Sequence, residues 1–141
     1  MRYPRLGRQR FSRKEYDLRA QLILERMKAE ALPFDGPPEE KEERLMRAGQ
    51  DRFYFFRTYL PHYFSMDGAL FHRELCEYAD MEGEPVFIAA PREHAKSTIC
   101  TLGIPLHDIL FGRKHFVVIV SDTVDLASDF SRFIQMELES N

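Results

Sequence analysis

The sequence lacks long apolar runs, a cysteine motif and a secretory leader, and each absence excludes a class of protein. No stretch approaches the roughly 18–20 uninterrupted apolar residues that a membrane helix needs, so we expect no membrane partner. The basic start, residues 1–5, leads into no apolar run and is not a secretory signal. Cys76 and Cys100 form no CxxC pair, so we predict reduced, mostly buried thiols rather than a zinc site. A cytoplasmic protein is therefore the default expectation.

The net charge is small, at −3, but the charged residues are unevenly distributed along the chain. Arginine and lysine dominate the segment to about Lys28, whereas the segment from Asp122 is acidic. A basic arm can contact nucleic-acid phosphates or an acidic partner. A solvated helix face with a loose tail explains the same residues, and both interpretations stay open.

The first 50 residues have the pattern of a helical, basic lead segment. Ser12 and Glu15 form a capping box, which predicts an amphipathic helix that ends near Ala31. Prolines between residues 33 and 38 break it, and a second charged helix begins near Glu39. The predicted apolar stripe of the first helix consists of Leu18, Leu22, Ile23, Leu24 and Met27.

Aromatic residues crowd residues 53–64. Such a cluster indicates a hydrophobic core, although aromatics interleaved with arginine can also stack on bases. Residues 70–81 follow as a predicted amphipathic helix, with an apolar side made of Leu70, Phe71, Leu75 and Tyr78.

The remaining pattern alternates strands and helices. Residues 85–90 and 115–121 are short apolar runs typical of buried parallel strands. Residues 96–111 predict a helix that Pro105 kinks or divides and Gly112 stops. Residues 123–140 predict another helix, capped by Asp122 or Thr123, with an inner stripe of Leu126, Phe130, Phe133, Ile134 and Leu138. This order predicts an α/β fold with a parallel sheet.

The loop between the first predicted strand and helix matches the pattern G-x-x-x-x-G-K-[ST] at its Lys and Ser. Residues 90–97 read Ala-Pro-Arg-Glu-His-Ala-Lys-Ser. A loop at a helix N-terminus directs amides and partial positive charge at a phosphate. Lys96 can reach the β- and γ-phosphates of a nucleotide, and Ser97 can place its hydroxyl on Mg²⁺. A surface loop that happens to contain Lys-Ser-Thr is the alternative.

Alanine stands at both glycine positions of this pattern, Ala90 and Ala95. Glycine before the lysine permits unusual backbone angles and a close approach of the backbone to phosphate. Alanine is the smallest replacement, and we expect it to be tolerated at residue 95 where the local backbone angles are helical.

Residues 91–98, Pro-Arg-Glu-His-Ala-Lys-Ser-Thr, resemble the Walker A loop of phage large terminase subunits, the ATPases that package DNA. Residues 56–64, Phe71-His72-x-x-Leu75 and Ser121-Asp122-Thr123 resemble neighbouring segments of that family. The resemblance covers about residues 50–141. It implies a partial P-loop NTPase sheet of the RecA-like (ASCE) type over residues 51–141, preceded by the helical segment.

The resemblance also implies site residues and cofactors. ATP and Mg²⁺ would bind at Ala90, Pro91, Arg92, Glu93, His94, Ala95, Lys96, Ser97 and Thr98, with Ser97 as the metal ligand. Arg92 would stabilise transition-state charge; an ion pair with Glu93 is the alternative. We interpret His94 as a loop filler or a hydrogen-bonding residue rather than a base. Ser121 and Asp122 either line the site or cap the next helix.

Partners follow from the same resemblance. They are double-stranded DNA, the small terminase subunit, the procapsid portal and, in a full-length protein, further copies in a ring, all in a bacterial host cytoplasm. Hydrolysis needs an acidic strand end, which we expect beyond Asn141, followed by a nuclease domain. We therefore expect no ATP turnover by this chain alone. A different P-loop NTPase or kinase, or a degenerate non-enzymatic binding module, remains an alternative.

Overall fold

The computed structural model describes residues 13–30, 36–64, 68–81, 83, 85–91 and 94–140. Within them the chain is helical. The helices are α1 (Arg13–Glu30), α2 (Pro38–Gln50), α3 (Arg52–Tyr59), α4 (Leu70–Tyr78), a π-helical segment (Thr98–Gly103) that continues into α5 (Ile104–Leu110), and α6 (Val124–Ser140). None of the helices in this part has the length and apolar content needed to cross a bilayer. Ser12, half of the predicted capping box, lies outside the described residues.

The predicted parallel sheet is wrong for the part of the chain that the structure describes. Residues 85–90 and 115–120 form neither strand nor helix there, and no backbone hydrogen bond joins them. A strand exists only through its ladder with a neighbouring strand, so an apolar run without a paired neighbour cannot become one. Both runs instead expose apolar side chains, with Phe87 at 91% and Phe116 at 85% exposure.

The aromatic segment is the centre of the core, as its composition predicts. Phe56 and Leu60 are completely buried, and the Phe56 ring stacks on Phe64 with centroids 4.8 Å apart. A Cβ on Gly103 would lie 2.8 Å from the Phe56 ring, so glycine lets the π-helical segment approach α3. The other buried core residues come from α2, α4, the 98–110 helical region and α6: Ala48, Leu75, Cys76, Ile99, Leu102, Leu106 and Ile134.

The predicted apolar stripes are only partly covered. In α1, Met27 is buried, but Leu18 and Leu22 are 56% and 51% exposed. At about 100° per residue these leucines lie roughly opposite Met27 on the helix, so one packed face cannot cover all three. In α4, Leu75 is buried while Leu70 is exposed, and in α6 Ile134 is buried while Leu126 and Leu138 are exposed.

Pro105 interrupts the helix that begins at Lys96. Proline has no N–H to donate, and the helix widens before it: Ile104 N–H bonds to Ile99 O, five residues back. The widened turn is the π-helical segment, and α5 resumes after it. Gly112, with φ 64°, lies just beyond the end of α5, as the sequence predicts.

A buried ionic network fixes α3, α4 and α5 to one another. The guanidinium of Arg52, whose side chain is 4% exposed, contacts Asp108 at 2.7 Å and Asp80 at 2.6 Å. Arg113 also reaches Asp80, at 2.7 Å. Burial alone would raise the pKa of Asp80, but Arg52 and Arg113 hold it below its ordinary value. Within this network Arg52 and Asp108 are the buried pair, so removing either one leaves the other charge buried with less compensation.

Both cysteines are free thiols, with Cys76 buried and Cys100 partly buried, which confirms the sequence expectation. Burial raises the pKa of the Cys76 thiol to about 11. The thiol therefore stays protonated near neutral pH and behaves as a small apolar side chain.

Candidate phosphate-binding loop

The candidate loop connects the apolar run 85–90 to the helix that begins at Lys96. Arg92 and Glu93 lie outside the described residues, so the catalytic role expected for Arg92 stays a prediction. Pro91 and His94 are exposed, while Ala90, Ala95 and Lys96 are half-buried. The two ends of the loop are therefore partly packed into the protein, whereas Pro91 and His94 face solvent.

The Lys96 side chain folds back across the loop. Its Nζ donates a hydrogen bond to the carbonyl oxygen of Ala90 at 3.2 Å. This contact joins Lys96, near the end of the eight-residue match, to Ala90 at its beginning. A lysine there is a compact, mobile cation that can exchange a carbonyl oxygen for a phosphate oxygen.

Ala95 has an unusual backbone conformation for a residue with a side chain. Its φ is 51°, in the left-handed region. Helical backbone angles, the condition under which we expect alanine to be tolerated, are therefore not present at this residue. The backbone follows the course that glycine would adopt easily, and alanine adopts it at a cost of about 1–2 kcal/mol. Strain of this kind often accompanies a functional constraint on the backbone.

Ala95 also leaves the helix start uncapped. Ile99 N–H donates to Ala95 O at 2.9 Å, so residues 96–98 are the first turn. The amides of a first turn have no carbonyl within the helix to bond. Ser, Thr, Asp or Asn before the turn would satisfy one of them through a side chain, which alanine cannot do. The first turn thus retains the amides and the dipole charge that bind anions.

His72 of α4 holds the loop in place. Its Nδ1 accepts a hydrogen bond from Ala69 N–H at 3.0 Å, and its Nε2 lies 3.1 Å from His94 O. A carbonyl oxygen can only accept, so Nε2 carries the proton and the ring is neutral. The Phe71 ring lies 5.9 Å from the His94 ring. The backbone of His94 therefore takes part in positioning the loop, and the role of its side chain stays a prediction.

Sequence reasoning missed this positioning role of His72. The motif Phe71-His72-x-x-Leu75 was linked only to family resemblance. The spacing from Ala69 offered a signal, because a side chain at the third position of a helix can bond back to the residue before it. The contact with His94 carries no local signal, since 22 residues separate the partners.

Ser97 is exposed at the helix start, and Thr98 is half-buried beside it. The Ser97 hydroxyl is a suitable oxygen donor for Mg²⁺, which keeps most of its remaining ligands as water and phosphate oxygens. In the part of the chain that the structure describes, no three His, Cys, Asp or Glu side chains converge as a metal cluster.

The residues after the second apolar run act at the start of α6. Thr123 Oγ1 accepts a hydrogen bond from Leu126 N–H at 3.3 Å, which confirms Thr123 as one of the two predicted caps. Asp122 is exposed and Ser121 half-buried.

Comparisons of the chain with protein-family profiles, with curated proteins and with solved structures find no match. The geometry of the loop is therefore the main physical support for any function.

Proposed function

We propose that residues 90–98 bind the phosphates of ATP together with Mg²⁺, and that the chain is the ATP-binding part of a DNA-packaging motor. The phosphate-binding part of the proposal is supported chiefly by one observation: Lys96 Nζ bonds to Ala90 O at 3.2 Å, at the start of an uncapped helix. The packaging role is supported only by the resemblance of residues 91–98 to the terminase loop.

In the bound state, each group of the loop has a separate task. Lys96 transfers its hydrogen bond from Ala90 to phosphate oxygens and neutralises part of their charge. The amides of residues 96–98 donate to the same phosphate, assisted by the helix dipole. The Ser97 hydroxyl would supply one oxygen ligand to the Mg²⁺ that accompanies the nucleotide. His72 holds the His94 carbonyl, which fixes the backbone just before the helix and lowers the ordering cost of binding at that point.

Competition binding tests the phosphate specificity of the site. The chain is titrated with fluorescent ATP in the presence of Mg²⁺ and then challenged with inorganic triphosphate or with adenosine. Because the loop recognises phosphate, we expect triphosphate to displace the probe and adenosine to leave it bound. Displacement by adenosine alone would place recognition at the base and would overturn the proposal.

Binding and turnover are separate expectations. We expect the chain to bind ATP without steady phosphate release, because a phosphate-binding site does not by itself position the attacking water that hydrolysis requires. A phosphate-release assay decides this point: steady, Mg²⁺-dependent turnover that Lys96→Ala abolishes would show a complete hydrolytic site.

The proposal includes double-stranded DNA as a partner of the basic lead segment, and the small terminase subunit and portal as partners by resemblance alone. In α1, Arg26 pairs with Glu30 at 3.4 Å, while residues 1–12 lie outside the described part. If the basic residues contact phosphates, DNA affinity falls steeply as the salt concentration rises. A plot of the logarithm of the binding constant against the logarithm of the salt concentration then has a slope of about −0.9 for each phosphate contact. An affinity independent of salt, or unchanged after removal of residues 1–28, would contradict the DNA contact.

A further inference from the structure

The apolar run 116–120 has an exposed face with the periodicity of a β-strand. Phe116, Val118 and Val120 are 85%, 65% and 88% exposed, whereas Val117 between them is only 37% exposed. Ile119 is half-buried and packs against the core. Alternation with period two is the side-chain pattern of a pleated strand. The run therefore presents a strand-like apolar face to solvent.

We propose that this face is a dimer interface, on which the run 116–120 of a second copy pairs antiparallel about Val118. The run has high β-propensity, no charge and no proline, which are the features of segments that pair with themselves. In a two-fold pairing about Val118, Phe116 of one copy lies opposite Val120 of the other. Aromatic and β-branched side chains form favourable cross-strand pairs.

The flanking charges select the antiparallel direction. About Val118, the residue opposite Lys114 is Asp122 of the other copy, and the residue opposite His115 is Ser121. A parallel pairing in register would instead place Lys114 against Lys114 and Asp122 against Asp122. Like charges directly opposite each other destabilise a pair of strands, and opposite charges stabilise it.

The face offers a modest apolar area. Phe116, Val118 and Val120 are 85%, 65% and 88% exposed, so pairing covers one aromatic and two valine side chains of each copy. At roughly 150–250 Å² for an aromatic side chain and about 30 Å² for each methyl or methylene group, this is on the order of 300 Å² per copy. A standard interface covers roughly 800 Å² per partner, so we expect a weak dimer that forms as concentration rises.

Sedimentation velocity of the full chain over a wide concentration range tests the pairing. We expect a monomer–dimer equilibrium that shifts to dimer as concentration rises. Val118→Lys should abolish the dimer, because it places two lysines opposite each other on the two-fold axis. Leu22→Lys, on the exposed side of α1, is the matched control and should dimerise like the original chain. Circular dichroism confirms that both variants keep their helices.

A charge exchange tests the register. Lys114→Glu should weaken the dimer several-fold, and the double variant Lys114→Glu/Asp122→Lys should restore it. Oxidation of Val118→Cys should give a disulfide-linked dimer well above the background of the original thiols. A monomer at every concentration, species larger than a dimer, or equal effects of Val118→Lys and Leu22→Lys would each overturn the proposal.

Discussion

Lys96 Nζ and the carbonyl oxygen of Ala90 lie 3.2 Å apart, joined by a hydrogen bond that spans the candidate loop. The bond places a cation beside the first turn of a helix, where amides without helical partners gather. Neither residue alone would suggest a phosphate site. Their proximity places the positive charge of Lys96 at the loop. The left-handed backbone of Ala95 sets the direction in which the chain enters the helix.

Because the backbone of Ala95 is strained, replacing this residue with glycine should stabilise the protein. Ala95→Gly should raise the free energy of unfolding by up to about 1 kcal/mol, because glycine adopts positive φ without a steric cost. Ala90, whose φ is not positive, is the matched control: Ala90→Gly should lower stability through the added freedom of the unfolded chain. Urea unfolding of both variants measures the two effects. A loss of stability in Ala95→Gly equal to that in Ala90→Gly would contradict the strain.

The two hydrogen bonds of His72 can be separated by substitution. His72→Asn can retain the bond from Ala69 N–H, and His72→Gln can retain the bond to His94 O, because their polar atoms correspond to Nδ1 and Nε2 respectively. Losing either bond should cost about 0.5–1.5 kcal/mol of stability. Only the Asn variant should also bind ATP more weakly, since it releases the loop. Equal ATP affinities in both variants, measured by calorimetry, would exclude a positioning role.

His107 predicts a loss of stability in mild acid. Its ring is completely buried, and Nε2 donates to Ala48 O at 2.9 Å. Burial lowers the pKa of His107 below its ordinary value of 6.5, with Arg52 and Arg113 contributing and with the Ala48 bond and Asp108 opposing. The unfolded chain therefore binds a proton at a higher pH than the folded chain. Stability is complete above about pH 6.5 and falls as pH decreases toward the folded pKa.

His107→Gln isolates this effect, because glutamine can keep a donor near Ala48 O and does not titrate. The unfolding free energy of the original chain minus that of the variant should decrease as pH falls from about 7 to 5. The largest possible decrease is about 1.4 kcal/mol for each unit by which folding lowers the pKa of His107. Asp80, whose pKa is lowered in the folded chain, affects stability only below its ordinary pKa of 3.8. It therefore does not contribute to the change in stability between pH 7 and 5. A difference independent of pH would contradict the assignment.

The sequence predicted the described helices other than α3, because their signals are local. Prolines at 37 and 38 mark the start of α2, Thr123 caps α6 and Gly112 follows α5, and each acts within a few residues. The aromatic run was also correctly predicted as core. In contrast, the runs 85–90 and 115–120 carry strand composition, but a strand requires a hydrogen-bonded neighbour that composition cannot supply.

The candidate site was predicted in part for a similar reason. The pattern located Lys96 and Ser97 from eight consecutive residues. The left-handed angle of Ala95 and the bond from His72 to His94 depend on how α4 packs beside the loop, and no local pattern encodes that packing. The buried network of Arg52, Asp80 and Asp108 also joins residues far apart in the chain.

The most direct test of the phosphate-binding loop is the affinity of the chain for Mg²⁺-ATP, measured by calorimetry with two lysine variants. Lys96→Ala removes the cation of the loop, whereas Lys41→Ala removes an exposed lysine of α2. We predict that the original chain and Lys41→Ala bind equally, and that Lys96→Ala binds at least about tenfold more weakly, a loss of about 1.4 kcal/mol. Equal binding by all three proteins, or no binding by the original chain, would contradict the assignment of residues 90–98 as a phosphate site.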